Sequence, residues 1–269
     1  MKKTFKPKDF TNPFIAAKVP SKFDEIEAEE FIREINSLIF LKNHPNIVSF
    51  IGWTMYGEIP VLITELAETT LLKFVEGFSS ETNNGNFLKP CLQILWQITN
   101  AMEYLAEKKM IHRDVACRNV LLKEKNIAKL SDFGLCCCSD ENGIFKDSLN
   151  KKFPLKWLAI EALTESTFSE KSDVWAFGIL CWEIFSYGSI PYSTMLNSEM
   201  IGFLQDGNRL SKPPDAPAYI YELMLHCWDK NAKIRPAFSD ICKGIRIMLE
   251  VETLNYGYLS LEKPFDTFS

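Results

Sequence analysis

His112-Arg113-Asp114-Val115-Ala116-Cys117-Arg118-Asn119, followed by Asp132-Phe133-Gly134, is the stretch on which the reading of this 269-residue chain turns. It sets out two carboxylates and a carboxamide, with Asn119 five residues after Asp114 and Asp132 eighteen after it. A carboxylate can take the proton of an attacking hydroxyl, which suits Asp114. A second carboxylate and an amide oxygen are hard ligands of the kind magnesium prefers, which suits Asp132 and Asn119. Phosphoryl transfer asks for this combination, because it depends on positioning and charge neutralisation more than on covalent help. Alone, Asp-Phe-Gly is good loop chemistry, and Asp114 would be a cap or a surface charge. The order and the two intervals carry the reading.

At these residues the sequence resembles the protein-kinase family, and the resemblance covers nearly the whole chain. It implies ATP and Mg2+ as cofactors, Asp114 as the catalytic base, and Asn119 and Asp132 as metal ligands. Upstream, Lys18 in AAKVP matches the strand lysine that meets the α and β phosphates. Glu34, sixteen positions on, matches the helix glutamate that pairs with it. Thr64-Glu65-Leu66-Ala67 resembles the gatekeeper and hinge, where backbone groups of Glu65 and Ala67 would meet the adenine edge. Ala16 and Leu121 match the apolar residues above and below the ring, and Leu38, Phe50, His112 and Phe133 match the side-chain stack that links the lobes. Downstream, DVWAFG (residues 173–178) and Arg235 match anchors of the helical lobe. Ala159-Ile160-Glu161 stands where the family has Ala-Pro-Glu, with Glu161 expected to pair with Arg235. Isoleucine there leaves the loop slightly less stiff than proline would.

The same resemblance favours tyrosine as the acceptor. Serine/threonine kinases usually place a lysine two positions after the catalytic Asp. Here Ala116 stands there and Arg118 follows four after, as in the Asp-x-Ala-x-Arg-Asn of tyrosine kinases. Arg118 joins the catalytic set because it can reach Asp114 while leaving room for a phenol. Residues 152–163, KFPLKWLAIEAL, resemble the platform that receives the acceptor ring, although Trp157 reads equally well as a buried anchor. HRDVACRN together with residues 190–213 is closer to receptor-type domains, most of all to the receptor-like tyrosine kinases expanded in nematodes. The implied partners are protein substrates with tyrosine acceptors. The competing reading is a weakly active or inactive pseudokinase that scaffolds partners.

Periodicity away from the motif predicts a small, strand-rich part followed by a helical one, which the resemblance implies are the lobes of an α+β, bilobal kinase-like fold. On that resemblance, residues 1–66 are a partial, β-rich small lobe, residues 67–252 a mainly helical lobe, and residues 253–269 a tail. A strand over 14–19 precedes a helix over 24–42, whose Phe31, Ile35 and Leu38 share a face with Ile32 and Ile39 beside them. Pro45 ends that helix, and strands near 47–54 and 61–66 flank Gly57. Cys91, Ile94, Ile98, Ala101 and Leu105 step by three and four, as in an amphipathic helix. Short strands near 119–122 and 127–130 lead into an irregular stretch over 132–161. VWAFGILCWEIF, with Ser172-Asp173 expected as its cap, is apolar nearly all round and belongs inside a core. Helices near 198–206, 218–228 and 236–250 follow, with Pro236 expected in a first turn.

Composition narrows the alternatives. A net charge of −5, with 46% hydrophobic and 24% charged residues, describes an ordinary globular chain without the basic face a nucleic-acid binder carries. Eight irregularly spaced cysteines, three of them adjacent at 136–138, match neither a zinc site nor a disulfide framework. They predict reduced thiols in the cytoplasm. The amino terminus lacks a signal peptide's apolar stretch, and residues 174–185 are too short for the roughly 20 that span a membrane. A membrane anchor upstream, in a longer form of which this is the intracellular portion, is compatible with that.

Two features depart from the family. Gly-x-Gly-x-x-Gly should precede the strand lysine by some 20 residues, yet no glycine occurs before Gly52, and Thr4–Lys6 resemble the strand that follows the loop. The working expectation is an incomplete chain; the alternative is a short product with weak or no catalysis. Without the loop, nucleotide should bind more weakly. The segment from Asp132 to Trp157 holds no tyrosine, leaving Ser139 and Ser148 as its candidate phosphoacceptors, while Tyr256 and Tyr258 are candidate docking sites in the tail.

Overall fold

The computed structural model of the chain describes residues 14–20, 25–57, 59–78, 87–124, 126–147 and 153–255. Thr4–Lys6, Ser148, Lys152, Tyr256 and Tyr258 lie outside them. Among the described residues, a small sheet with one helix precedes a larger, mainly helical part, so the α+β class holds.

The small part is built on β1 (Ile15–Lys18), α1 (Glu25–Leu41), β2 (Phe50–Tyr56) and β3 (Ile59–Glu65). The sheet is antiparallel in the order β1-β3-β2, and Gly57 turns the β2–β3 hairpin at a φ of +63°, where a side chain would be strained. In α1, Phe31, Ile35 and Leu38 are buried, whereas Ile32 and Ile39 are about half exposed. The helix stops at Leu41 with Lys42 in the left-handed region, ahead of Pro45. Its last carbonyl is not left bare, since the Tyr104 hydroxyl donates to Leu41 O at 2.6 Å.

After β4 (Thr69–Thr70) come α2 (Leu71–Glu76) and α3 (Leu88–Glu107). The short strands β5 (Met110–Ile111), β6 (Val120–Lys123) and β7 (Ile127–Leu130) carry the loop between residues 112 and 119. β6 pairs with both β4 and β7, and α3 packs on β7. Leu130 N donates to Asn46 O at 2.8 Å and Val48 N to Leu130 O at 2.9 Å, so the chain leaving α1 is stitched to the large part.

The stretch read as irregular contains β8 (Cys137–Cys138), paired with β5, and β9 (Ile144–Lys146). Beyond it, α4 (Ile160–Glu165) leads to β10 (Thr167–Ser169), which pairs with β9. Strands of two or three residues leave no periodic trace.

At the centre lies α5 (Glu170–Phe185), buried on every side as its apolar sequence requires. The expected cap was misplaced. Ser169 caps the helix, its hydroxyl accepting from Lys171 N at 3.1 Å, and Ser172 reciprocates by accepting from Ser169 N at 3.0 Å. Asp173 is not free to cap, because its carboxylate takes the backbone N–H groups of His112 and Arg113 at 2.7 and 2.9 Å. A Cβ at Gly178 would fall 2.6 Å from Trp228 Nε1, so only glycine admits that approach.

The fold is completed by α6 (Asn197–Gln205), α7 (Ala218–Cys227) and α8 (Phe238–Asn255). Pro236 precedes α8 and does not enter its first turn. The Phe238 N–H is held by the Glu170 carboxylate at 2.9 Å, which fixes the start of the helix two residues later.

Candidate active site

The loop between β5 and β6 is pinned before it presents any chemistry. Asp173 holds its first two N–H groups, and Glu183, also from α5, accepts from Cys117 N at 3.0 Å. The His112 ring lies 4.9 Å from that of Phe133 and is fully buried, and burial brings its pKa down to about 4, so it is neutral at pH 7.

On this support Asp114 is clamped from two sides. Arg118 donates to Oδ1, and Asn119 Nδ2 donates to Oδ2 at 2.7 Å and to the Asp114 carbonyl at 2.9 Å. Both hydrogens of that amide are thereby used, leaving Asn119 Oδ1 as the atom that can face a metal. Burial raises the Asp114 pKa and the negative charge of Asp132 adds to it, against Arg118 and Asn119, which lower it.

Asn119 is tied to the neighbourhood of Asp132, since its carbonyl accepts from Ser131 N at 2.9 Å and Ser131 Oγ at 2.8 Å. Asp132 has φ +63°, a backbone that turns its carboxylate toward the small part. There Lys18 Nζ lies 3.1 Å from Asp132 Oδ1 and 2.8 Å from Glu34 Oε2. Burial opposes the Lys18 charge, but the two carboxylates outweigh it and its pKa is raised. Arg33 donates to Gly134 O at 3.1 Å, so α1 also grips the backbone beside Asp132. Lys18, Glu34 and Asp132 therefore form one cluster and Asp114, Arg118 and Asn119 another, joined through Ser131.

Magnesium fits this donor set. Asp132 and Asn119 offer hard oxygens, and among the described residues no cluster of three or more His, Cys, Asp or Glu side chains forms a closed cage. Magnesium is commonly held by one or two protein oxygens with phosphate and water completing its shell.

The residues expected around adenine sit on adjoining strands without forming a comparable cluster of contacts. Ala16 pairs with Thr64 and Ile15 with Glu65 across β1 and β3, while Leu121 lies opposite Thr70 on β6. Ala67 follows β3 and is half-buried. The Glu65 N–H is already given to Ser49 O at 3.1 Å, and its carbonyl accepts from the Thr64 hydroxyl at 3.3 Å.

The Glu65 side chain turns elsewhere. It accepts from Ser49 and ion-pairs with Lys123 at 3.2 Å and Lys129 at 3.0 Å. Burial alone would raise its pKa, but the Ser49 hydrogen bonds and Lys129 bring it from 4.5 down to about 2. A depressed carboxylate pKa gives stability that is present above pH 4.5 and lost as pH falls toward 2. The effect is at most about 3 kcal/mol, less what solvent screening removes. Melting curves of wild type and Glu65→Gln should diverge above about pH 5 and converge in acid; a constant gap would contradict this.

Sequence reasoning missed Glu183 and Asp147. Glu183 accepts from the Trp157 indole at 3.0 Å as well as from Cys117 N, and the Arg118 guanidinium lies 4.4 Å from the Trp157 ring centre. One buried carboxylate thus binds the catalytic loop to the proposed acceptor platform, and its sequence signal was a lone glutamate in an apolar helix. Asp147 pairs with Arg113 at 2.8 Å. Lower in the large part, Arg235 meets Glu161 through two hydrogen bonds of 2.7 and 2.8 Å.

The comparisons agree with this architecture. Residues 4–245 match the family model for protein tyrosine and serine/threonine kinases. The chain is 36% identical over 258 residues to a Caenorhabditis elegans protein named "Putative tyrosine-protein kinase F09A5.2", covering 91% of this chain and 30% of that protein. It is 32% identical over 257 residues to fibroblast growth factor receptor 1 of Xenopus laevis, covering 91% of this chain and 32% of the receptor. The chain thus spans about a third of each of these relatives. With the family model matched over most of its length, the chain belongs to the protein tyrosine and serine/threonine kinase family.

Proposed function

We propose that this chain transfers the γ-phosphoryl group of ATP to tyrosine side chains of protein substrates. The observation that carries the proposal is the convergence of Lys18 and Asp132 with the Asp114–Asn119 clamp. Lys18, held by Glu34, offers its ammonium to the phosphates. Asp132 and Asn119 Oδ1 would hold magnesium, which would neutralise negative charge developing on the phosphates. Asp114 accepts the phenol proton, and Arg118 keeps it ionised and aimed. Glu65 O and the Ala67 backbone would meet the adenine edge, with Ala16 and Leu121 on its two faces.

Tyrosine is favoured over serine because Arg118 and Trp157 are stacked together beside Asp114, a flat surface on which a phenol ring can lie. The setting is read as cytoplasmic, either for a free protein or for the intracellular portion of an anchored receptor-like chain, because the eight irregularly spaced cysteines match no disulfide framework. Among the described residues, no helix is long and apolar enough to cross a membrane.

The test is transfer of labelled phosphate from millimolar Mg-ATP to a Glu/Tyr copolymer, beside a serine-containing polymer, with the phosphoamino acid identified. Label only on tyrosine, and only with magnesium, is expected. No transfer would favour the scaffold reading, and label on serine would overturn the acceptor assignment.

A further inference from the structure

Of the eight cysteines, Cys138 is the exposed one, and it follows the half-buried Cys137 and the buried Cys136. All three border a cavity of about 690 Å³ between α1 and β8, a volume in the range of small-molecule sites. One wall is β8, held to β5 with Met110 opposite Cys138. The other is α1, where Ile32 and Phe40 border the space and are 55% and 53% exposed. Phe145 adds a third apolar face. Apolar surface is thus left open to water on both sides of one space, and a carbon chain lying there would cover it.

The walls are fixed by contacts beside the cavity. Arg33 donates to Gly134 O at 3.1 Å, and Glu34, the next residue of α1, holds Lys18 at 2.8 Å. The space is therefore present with the Lys18–Glu34 pair formed, and filling it does not require α1 to leave β8. The thiols differ in what they can do. A thiolate is the nucleophilic form of cysteine. Burial pushes the Cys137 thiol up to about 12 and holds Cys136 well above its ordinary value, so both stay protonated at pH 7. Cys138 is the accessible thiol at the rim.

We propose that this cavity captures α,β-unsaturated carbonyl compounds bearing an apolar chain, with Cys138 as the attacking thiol and Ile32, Phe40, Met110 and Phe145 receiving the chain. The Cys138 sulfur gives an electron pair to the β-carbon, and the carbon–carbon double bond opens to an enolate. The α-carbon then takes up a proton, matching the one the thiol released. The product is a thioether, formed by adding S–H across C=C, and no oxidant or leaving group is involved. Apolar walls favour a carbon chain over a charged disulfide such as oxidised glutathione. The inference is independent of the kinase reading.

Two vinyl ketones that differ in chain length, but-3-en-2-one and oct-1-en-3-one, test it on the 269-residue chain. N-acetylcysteine serves as the reference thiol, and peptide mass spectrometry locates the adduct. Relative to the reference, oct-1-en-3-one is expected to modify Cys138 about tenfold faster than but-3-en-2-one, ahead of Cys136 and Cys137. Combining Ile32→Ser with Phe40→Ser should cut that advantage to about twofold while leaving the but-3-en-2-one rate at the wild-type value. Both replaced side chains are half exposed, so the core is kept. In wild type, octan-3-one, which has the chain without the reactive double bond, should slow the capture of oct-1-en-3-one. Equal relative rates for the two ketones would reduce Cys138 to an exposed thiol without a site and overturn the proposal. First attack at Cys136 or Cys137, a chain-length advantage that survives the double substitution, or indifference to octan-3-one would overturn it as well.

Discussion

Asp114→Asn will lower kcat by about a thousandfold while leaving nucleotide binding close to wild type. On the proposed reading, the Asp114 carboxylate accepts the acceptor proton. Arg118 and Asn119 hold it by separate oxygens, so its aim does not depend on bound substrate. Asparagine keeps the size and can still accept from Arg118, but it removes the basic oxygen. Burial and Asp132 raise the Asp114 pKa, which makes it a stronger base than a solvent-exposed aspartate. The substitution spares the Lys18, Glu34 and Asp132 contacts, so magnesium-dependent stabilisation by ATP should persist. A fall in kcat of less than about tenfold would show that another group takes the proton.

The second large effect is on stability. Glu161→Ala will lower the melting temperature by roughly 10 °C, because it leaves Arg235 charged and enclosed. Arg235 is 2% exposed, and its guanidinium lies 5.0 Å from the Trp175 ring centre. Its other donors go to the carbonyls of Asp229 and Lys171, which cannot replace the lost charge. Removing one partner of such a pair costs about 3–5 kcal/mol. Glu161→Gln should cost less, since it keeps an acceptor and the volume. The pair joins the start of α4 to the loop before α8 and touches no residue proposed to meet nucleotide. Below the transition, KM for ATP should therefore stay near wild type. A melting temperature within about 2 °C of wild type would contradict this.

How far the sequence revealed these features depended on how each is written. The Asp114, Asn119 and Asp132 set could be singled out because the chemistry proposed for it requires particular residue types at short, fixed intervals. The buried face of α1 was legible from its period, since Phe31, Ile35 and Leu38 must lie on one side. Lys18 and Glu34 were reached through the family resemblance, and each alone would have read as a surface charge. Asp147 could not be found in this way. Its partner is 34 residues distant across a segment of two- and three-residue strands, and a single aspartate in a loop carries no pattern. The cap of α5 was missed because Ser172-Asp173 has cap chemistry as well, and only the fold shows that Asp173 is spent on the catalytic loop.

Thermal melting of the 269-residue chain with ATP, in the presence of magnesium and again with a chelator in its place, tests most directly whether these side chains converge on one metal-bound triphosphate. A rise of several degrees that requires both ATP and magnesium, and vanishes in Asp132→Asn, is the expected result. Superimposable curves at millimolar ATP, or a rise indifferent to magnesium and to Asp132, would contradict it.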